Sequence, residues 1–308
     1  MAKFVIYSFK LHLTSDGMMR SLFTEEETLS PKEALERKQE LFQKIIDKDV
    51  FNEKPFKCKR NPAKGYSGPY EFGSQILWTK DAISFMQIEN EKDRLEHINF
   101  KKRKGTDYPW CNVIIDNREN VQHIAIQNNN AFPSTDFVAT ILRDSFNERL
   151  ADYYLEIDID AMYQSRAFWS VIDRFKEVGI RMIQFDFGFP NIPWASDSIE
   201  GLNVGAKALG ARPSAKFTAT DGGRLLIDSE NKDENIEKLI HASGGTGSDI
   251  VVQPNGSNEL IHCKEDKEQR VQKPIPDIIL DGADEEDNFE STQLHVEKFV
   301  KDIQQYYD

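Results

Sequence analysis

Tyr154-Leu155-Glu156-Ile157-Asp158-Ile159-Asp160 alternates apolar and acidic residues with a period of two, the pattern of a strand with one covered face. Downstream, Phe168, Trp169, Ile172, Phe175 and Val178 recur at helical spacing, Gly179 closes the helix, and Met182 to Phe189 alternates again. A strand, a helix of about three turns and a second strand, joined this tightly, predict a right-handed crossover between parallel strands over 154–191. Hairpin signals elsewhere make the expected class α/β (mixed α+β), with mixed sheets, β-hairpins and at least one right-handed βαβ crossover.

Working outward, Phe4 to Leu13 reads as a first strand, and Ser30-Pro31-Lys32-Glu33 supplies an N-cap, a proline at the first helical position and a capping-box glutamate for a helix to about Lys48. Residues 52–73 break into Lys, Pro, Gly and aromatic residues and read as a long loop. Gln75 to Glu89 predicts paired strands, and the charged stretch 90–104 has no decisive periodicity. Cys111–Asp116 and Val121–Gln127 flank a hairpin turn, and Ser134 caps a helix carrying Phe137, Val138, Ile141, Leu142 and Phe146. Asp197 with Glu200 predicts a helix to about Leu209. Lys216–Thr220 with Leu225–Asp228, and Asp249–Val252 with Leu260–Cys263, predict two more hairpins around a helix over 233–241. An amphipathic helix over 292–306 ends the chain. Three regions are expected: 1–105 with basic loops, 106–280 as an α/β region, and 281–308 as an acidic loop and helix.

The chain has 308 residues, of which 39% are hydrophobic, including 20 Phe, enough for a sizeable core in one large domain or two ordinary ones. No apolar run approaches the roughly 18 residues of a membrane span, so no membrane partner is expected. Three well-separated cysteines do not make a disulfide framework, and a cytoplasmic setting is expected. The net charge of −13 is concentrated late: residues 221–308 hold 21 acids against 9 bases, whereas residues 54–104 hold 12 bases against 6 acids. Such polarity points to a charged binding surface.

Four constellations bear on chemistry. Asp158 and Asp160, with Asp186 on the expected neighbouring strand, are the candidate catalytic carboxylates, and together they would hold Mg²⁺ for phosphoryl chemistry; a strand with one face in water produces the same spacing. Lys54, Lys57, Lys59, Arg60 and Lys64, interleaved with Phe56, Tyr66 and Tyr70, and the run Lys101-Lys102-Arg103-Lys104 are the candidate nucleic-acid contacts, since cations neutralise phosphates and rings stack on bases. Gly244-Gly245-Thr246-Gly247 follows a helix instead of preceding one, which reads as a C-cap and not as a phosphate cradle. Six scattered histidines and unpaired cysteines supply no zinc set, so no metal site and no cofactor is assigned. A restriction-type nuclease signature is approximated by Asp249 with Glu259, Cys263 and Lys264, but its offset is wrong.

Phe189, Ile192 and Trp194 emerge from a strand end and are the candidate partner contacts. The leading expectation is a non-enzymatic binding subunit engaging nucleic acid or a protein partner, compatible with a homo-oligomer, in a bacterial or phage defence or counter-defence system. The alternatives are a Mg²⁺-dependent nuclease or phosphoryl-transfer enzyme and an acidic DNA-mimic inhibitor.

Overall fold

The near-continuous apolar run from Phe4 to Phe9 makes Ala2–Leu13 the first strand, β1, and every residue from Phe4 to Phe9 is buried. The computed structural model describes residues 1–17, 29–47, 56–58, 70–98, 101–118, 121–188, 212–220, 222–276 and 289–304, with the backbone only for 93–98, 101–105, 289 and 304. The content is mixed α/β, as expected, and the chain divides into two compact units: 1–5, 11–159 and 273–302 form the first, and 6–10, 160–272 and 303–308 form the second. This division differs from the three regions expected from sequence. Residue 105 falls inside a strand, and 281 lies outside the described residues.

The first unit contains most of a seven-stranded sheet. Its strands are β4 (Ser74–Lys80), β5 (Ile83–Glu89), β8 (Trp110–Asp116), β9 (His123–Asn128) and β10 (Leu155–Ala161), in the order β10-β1-β9-β8-β5-β4, and β15 (Gln272–Ile275) also pairs with β1. The β4–β5 hairpin closes through Asp81 and Ala82, both at positive φ (49° and 61°), the geometry of a two-residue turn that follows the strand twist. Helix α3 (Thr135–Leu150), capped by Ser134 Oγ accepting from Phe137 N at 3.2 Å, lies between β9 and β10 in the chain. The expected helix over 30–48 is two helices, α1 (Pro31–Glu36) and α2 (Lys38–Ile45), because the backbone at Arg37 leaves helical geometry at φ −101°; the predicted Ser30/Glu33 capping box is formed. Phe146 of α3 meets Phe42 of α2 and Phe56 edge-on, with centroids 5.2 and 5.5 Å apart, and all three rings are buried. That arrangement favours ring pairs beyond their area of burial.

Two further corrections fall in this unit. The stretch read as a long loop contains β2 (Phe56–Cys58) and β3 (Tyr70–Phe72), paired with each other; Ser145 of α3 brackets β2, its hydroxyl accepting from Lys57 N and donating to Lys57 O. The charged stretch read as irregular is a ribbon, β6 (Lys92–Ile98) against β7 (Lys101–Asp107). Helix α6 (Phe289–Gln304) was expected, and Phe299 packs edge-on to Phe4 at 5.6 Å.

The second unit is built on a four-stranded sheet ordered β12-β11-β13-β14, from β11 (Ile180–Asp186), β12 (Ser214–Thr218), β13 (Ile250–Pro254) and β14 (Ile261–His262), with every pairing antiparallel. Helices α4 (Ser165–Arg174) and α5 (Glu234–Gly244) contribute Phe168, Trp169, Ile172 and Ile240 to its core, opposite Ile183, Phe185, Ile250 and Val252. The strand, helix and strand predicted over 154–191 form, yet β10 and β11 belong to different sheets, so this is not the expected crossover within one sheet. A helix does connect two strands of one sheet one step earlier, where α3 carries the chain from β9 past β1 to β10. The expected pairing of Lys216–Thr220 with Leu225–Asp228 is replaced by β12 on β11, while Leu225 and Ile227 pack against the core.

Candidate functional site

The candidate carboxylates occupy three distinct settings. Asp158 and Glu156 lie on β10 beside His12 of β1, whose Nε2 is 3.0 Å from Glu156 Oε1 and 3.9 Å from Asp158 Oδ2. All three side chains are partly exposed, so this is a solvent-screened ion-pair cluster worth little to stability. Asp160 lies against Gly247: a Cβ there would sit 2.7 Å from Asp160 Cβ, and φ is +64°, so glycine is required on both counts. Asp186 Oδ1 accepts from Gln184 Nε2 at 2.8 Å, and its backbone carbonyl accepts from Ser243 Oγ at 2.6 Å. Asp186 does not lie on a strand next to Asp158 and Asp160, because β11 is in the other sheet. Among the described residues, no group of three or more His, Cys, Asp or Glu is arranged to hold a metal ion.

Of the first basic run, only Lys57 is described. It lies on β2 with its Nζ 3.8 Å from Glu71 Oε1 across the hairpin, while Lys54, Lys59, Arg60 and Lys64 lie outside the described residues. The second run is the whole first half of β7. Its register sets Lys101 opposite Ile98, Lys102 opposite His97, Arg103 opposite Glu96 and Lys104 opposite Leu95, with Lys92 and Arg94 further along the partner strand. Among the described strands, β6 and β7 pair only with each other. Phe189, Ile192 and Trp194, the helix expected from Asp197, and the acidic segment 281–287 all lie outside the described residues. Among the described residues, no helix is long and apolar enough to cross a membrane.

One cluster passed over at the sequence level is assembled by the β13–β14 hairpin. The register pairs Val251 with His262 and Val252 with Ile261; Asp249 immediately precedes the first strand, and Lys264 lies in the 3-10 turn Cys263–Glu265 that immediately follows the second. His262 Nδ1 is 2.6 Å from Asp249 Oδ2, and Lys264 Nζ is 4.0 Å from the same oxygen. The Asp249 side chain is 9% exposed, that of His262 38% and that of Lys264 47%. Asp249 Oδ1 is buried with no hydrogen-bond partner among the described residues. Neighbouring groups are held neutral: burial pushes the Cys263 thiol up to about 12, and burial also raises Tyr163 well above the usual phenol range, its hydroxyl donating to Ser248 O at 2.7 Å. Cys263 is therefore no thiolate nucleophile. The sequence carries Asp249 at the start of one predicted strand, His262 on its predicted partner and Lys264 just past it.

Two open surface cavities, of about 340 Å³ beside Trp110 and about 330 Å³ beside Arg224, are lined by none of these residues. Comparison with protein-family models, curated proteins and solved structures returns no match for this chain.

Proposed function

We propose that this protein binds nucleic acid, with the β6–β7 ribbon as its phosphate-contacting element. The observation that carries this reading is the placement of four consecutive cations, Lys101 to Lys104, on one strand of a two-stranded ribbon that pairs with no other described strand. A ribbon of this width fits the major groove of a duplex, and neutralised phosphates release counterions.

The test is a salt titration of binding to labelled single- and double-stranded DNA and RNA, comparing the natural chain with K101E/K102E/R103E/K104E. Binding whose log affinity falls steeply with log salt, with the slope reduced by roughly one unit per lost phosphate contact in the variant, is expected. An unchanged slope in the variant, or no binding at low salt, sinks the reading.

A further inference from the structure

We infer that Asp249 and His262 form a general-base centre for phosphodiester cleavage, with Lys264 as the cation that holds the scissile phosphate. The centre rests on the second unit alone and stands or falls independently of the ribbon.

Three observations converge. Nδ1 of His262 is engaged by a carboxylate at 2.6 Å, which fixes the ring's orientation and places the basic lone pair on Nε2, while 38% of the side chain is open to solvent. The carboxylate is nine-tenths buried and half satisfied, since Oδ1 has no partner among the described residues. An unpaired buried acceptor is costly, and here it sits on the same carboxylate that engages a solvent-facing imidazole. The Lys264 ammonium, half exposed and 4.0 Å from the carboxylate, adds a positive charge beside the pair and suits an anionic substrate. A purely structural ion pair would need neither the exposed ring nor the orphaned oxygen.

In the cleavage step a hydroxyl, from water or from the ribose of RNA, gives its proton to His262 Nε2 as its oxygen forms a bond to phosphorus. The bond from phosphorus to the leaving oxygen breaks, and that oxygen takes a proton from solvent. Asp249 stays ionised and stabilises the imidazolium, and Lys264 offsets the charge on the non-bridging oxygens. Asp249 is thus a positioning residue, while His262 and Lys264 touch the reacting groups.

The experiment uses the full chain with EDTA present and three probes: bis(para-nitrophenyl) phosphate, a single-stranded RNA and the DNA of the same sequence. Turnover of all three assigns water as nucleophile, and turnover of RNA alone assigns the ribose hydroxyl; both support the centre. H262A is expected to lower kcat by about a hundredfold to ten-thousandfold, with partial recovery on adding imidazole. D249N should lower kcat by at least about tenfold with KM within about twofold, and K264A should mainly raise KM. No turnover of any probe by the natural chain overturns the inference, as does H262A turning over at the natural rate. The half-exposed His262 is replaceable without disturbing the core, so H262A remains informative even if D249N folds poorly.

Discussion

Asp116 of the first unit and Asp249 of the second are both buried carboxylates at strand ends, and they are treated in opposite ways. Asp116, 2% exposed, is saturated: Arg118 donates from Nε at 2.9 Å, from Nη2 at 2.7 Å and from its backbone N at 3.1 Å. Asp249 receives one short contact from a half-exposed histidine and leaves an oxygen unpaired. A closed bidentate pair engages both oxygens of Asp116 and locks the turn after β8, whereas a half-satisfied carboxylate keeps chemistry available. Burial alone does not distinguish structure from function; saturation does.

The largest expected effect that sharpens this contrast is at Asp116. D116A leaves the Arg118 guanidinium without its bidentate partner and should cost about 3 to 5 kcal/mol of unfolding free energy in a urea titration. A cost under about 1 kcal/mol would show that the pair is only a surface feature. Next comes His123, half-buried beside Asp116 and Arg118, where burial pushes the imidazole down to about 4. A histidine lowered in the folded state binds fewer protons than its unfolded counterpart between about pH 6.5 and 4, so its contribution is intact above that window and is lost as pH falls through it. The loss should reach up to about 3 kcal/mol, and H123N should flatten that part of the stability profile. The smallest expected change is at Asp249: D249N should shift stability by within about 1 kcal/mol, because the natural carboxylate already lacks one partner. Equal costs for D116N and D249N would break the comparison.

The ribbon and the loop strands explain why parts of the map were illegible. Strand β7 opens with four cations, and β2 and β3 are three residues each, so neither offers an apolar period long enough to register. Phe56 and Cys58 are buried against α3, where Ser145, 88 residues from Lys57, holds the β2 backbone and Phe146 meets Phe56. The Asp249, His262 and Lys264 cluster depended on register: a hairpin was expected there, but only the pairing of Val251 with His262 sets the ends of the two strands, and with them Asp249 and the turn that carries Lys264, side by side.

Helices, caps, turns and strands were determined by the sequence where their causes are local. The Ser30/Glu33 box, the Ser134 cap and the alternation through β10 each lie within a few residues of their effect; Gly179, expected to close the helix after β10, lies in the turn before β11, because that helix ends at Arg174. Sheet membership was decided only by tertiary structure. The strand, helix and strand over 154–191 read correctly as elements, but whether β11 joined β10 or founded a second sheet turned on competition from β12, β13 and the helices that pack on them. Periodicity specifies which face of a strand is covered, and it carries no label for the partner that covers it; that choice is made by nonlocal burial and pairing across the whole chain.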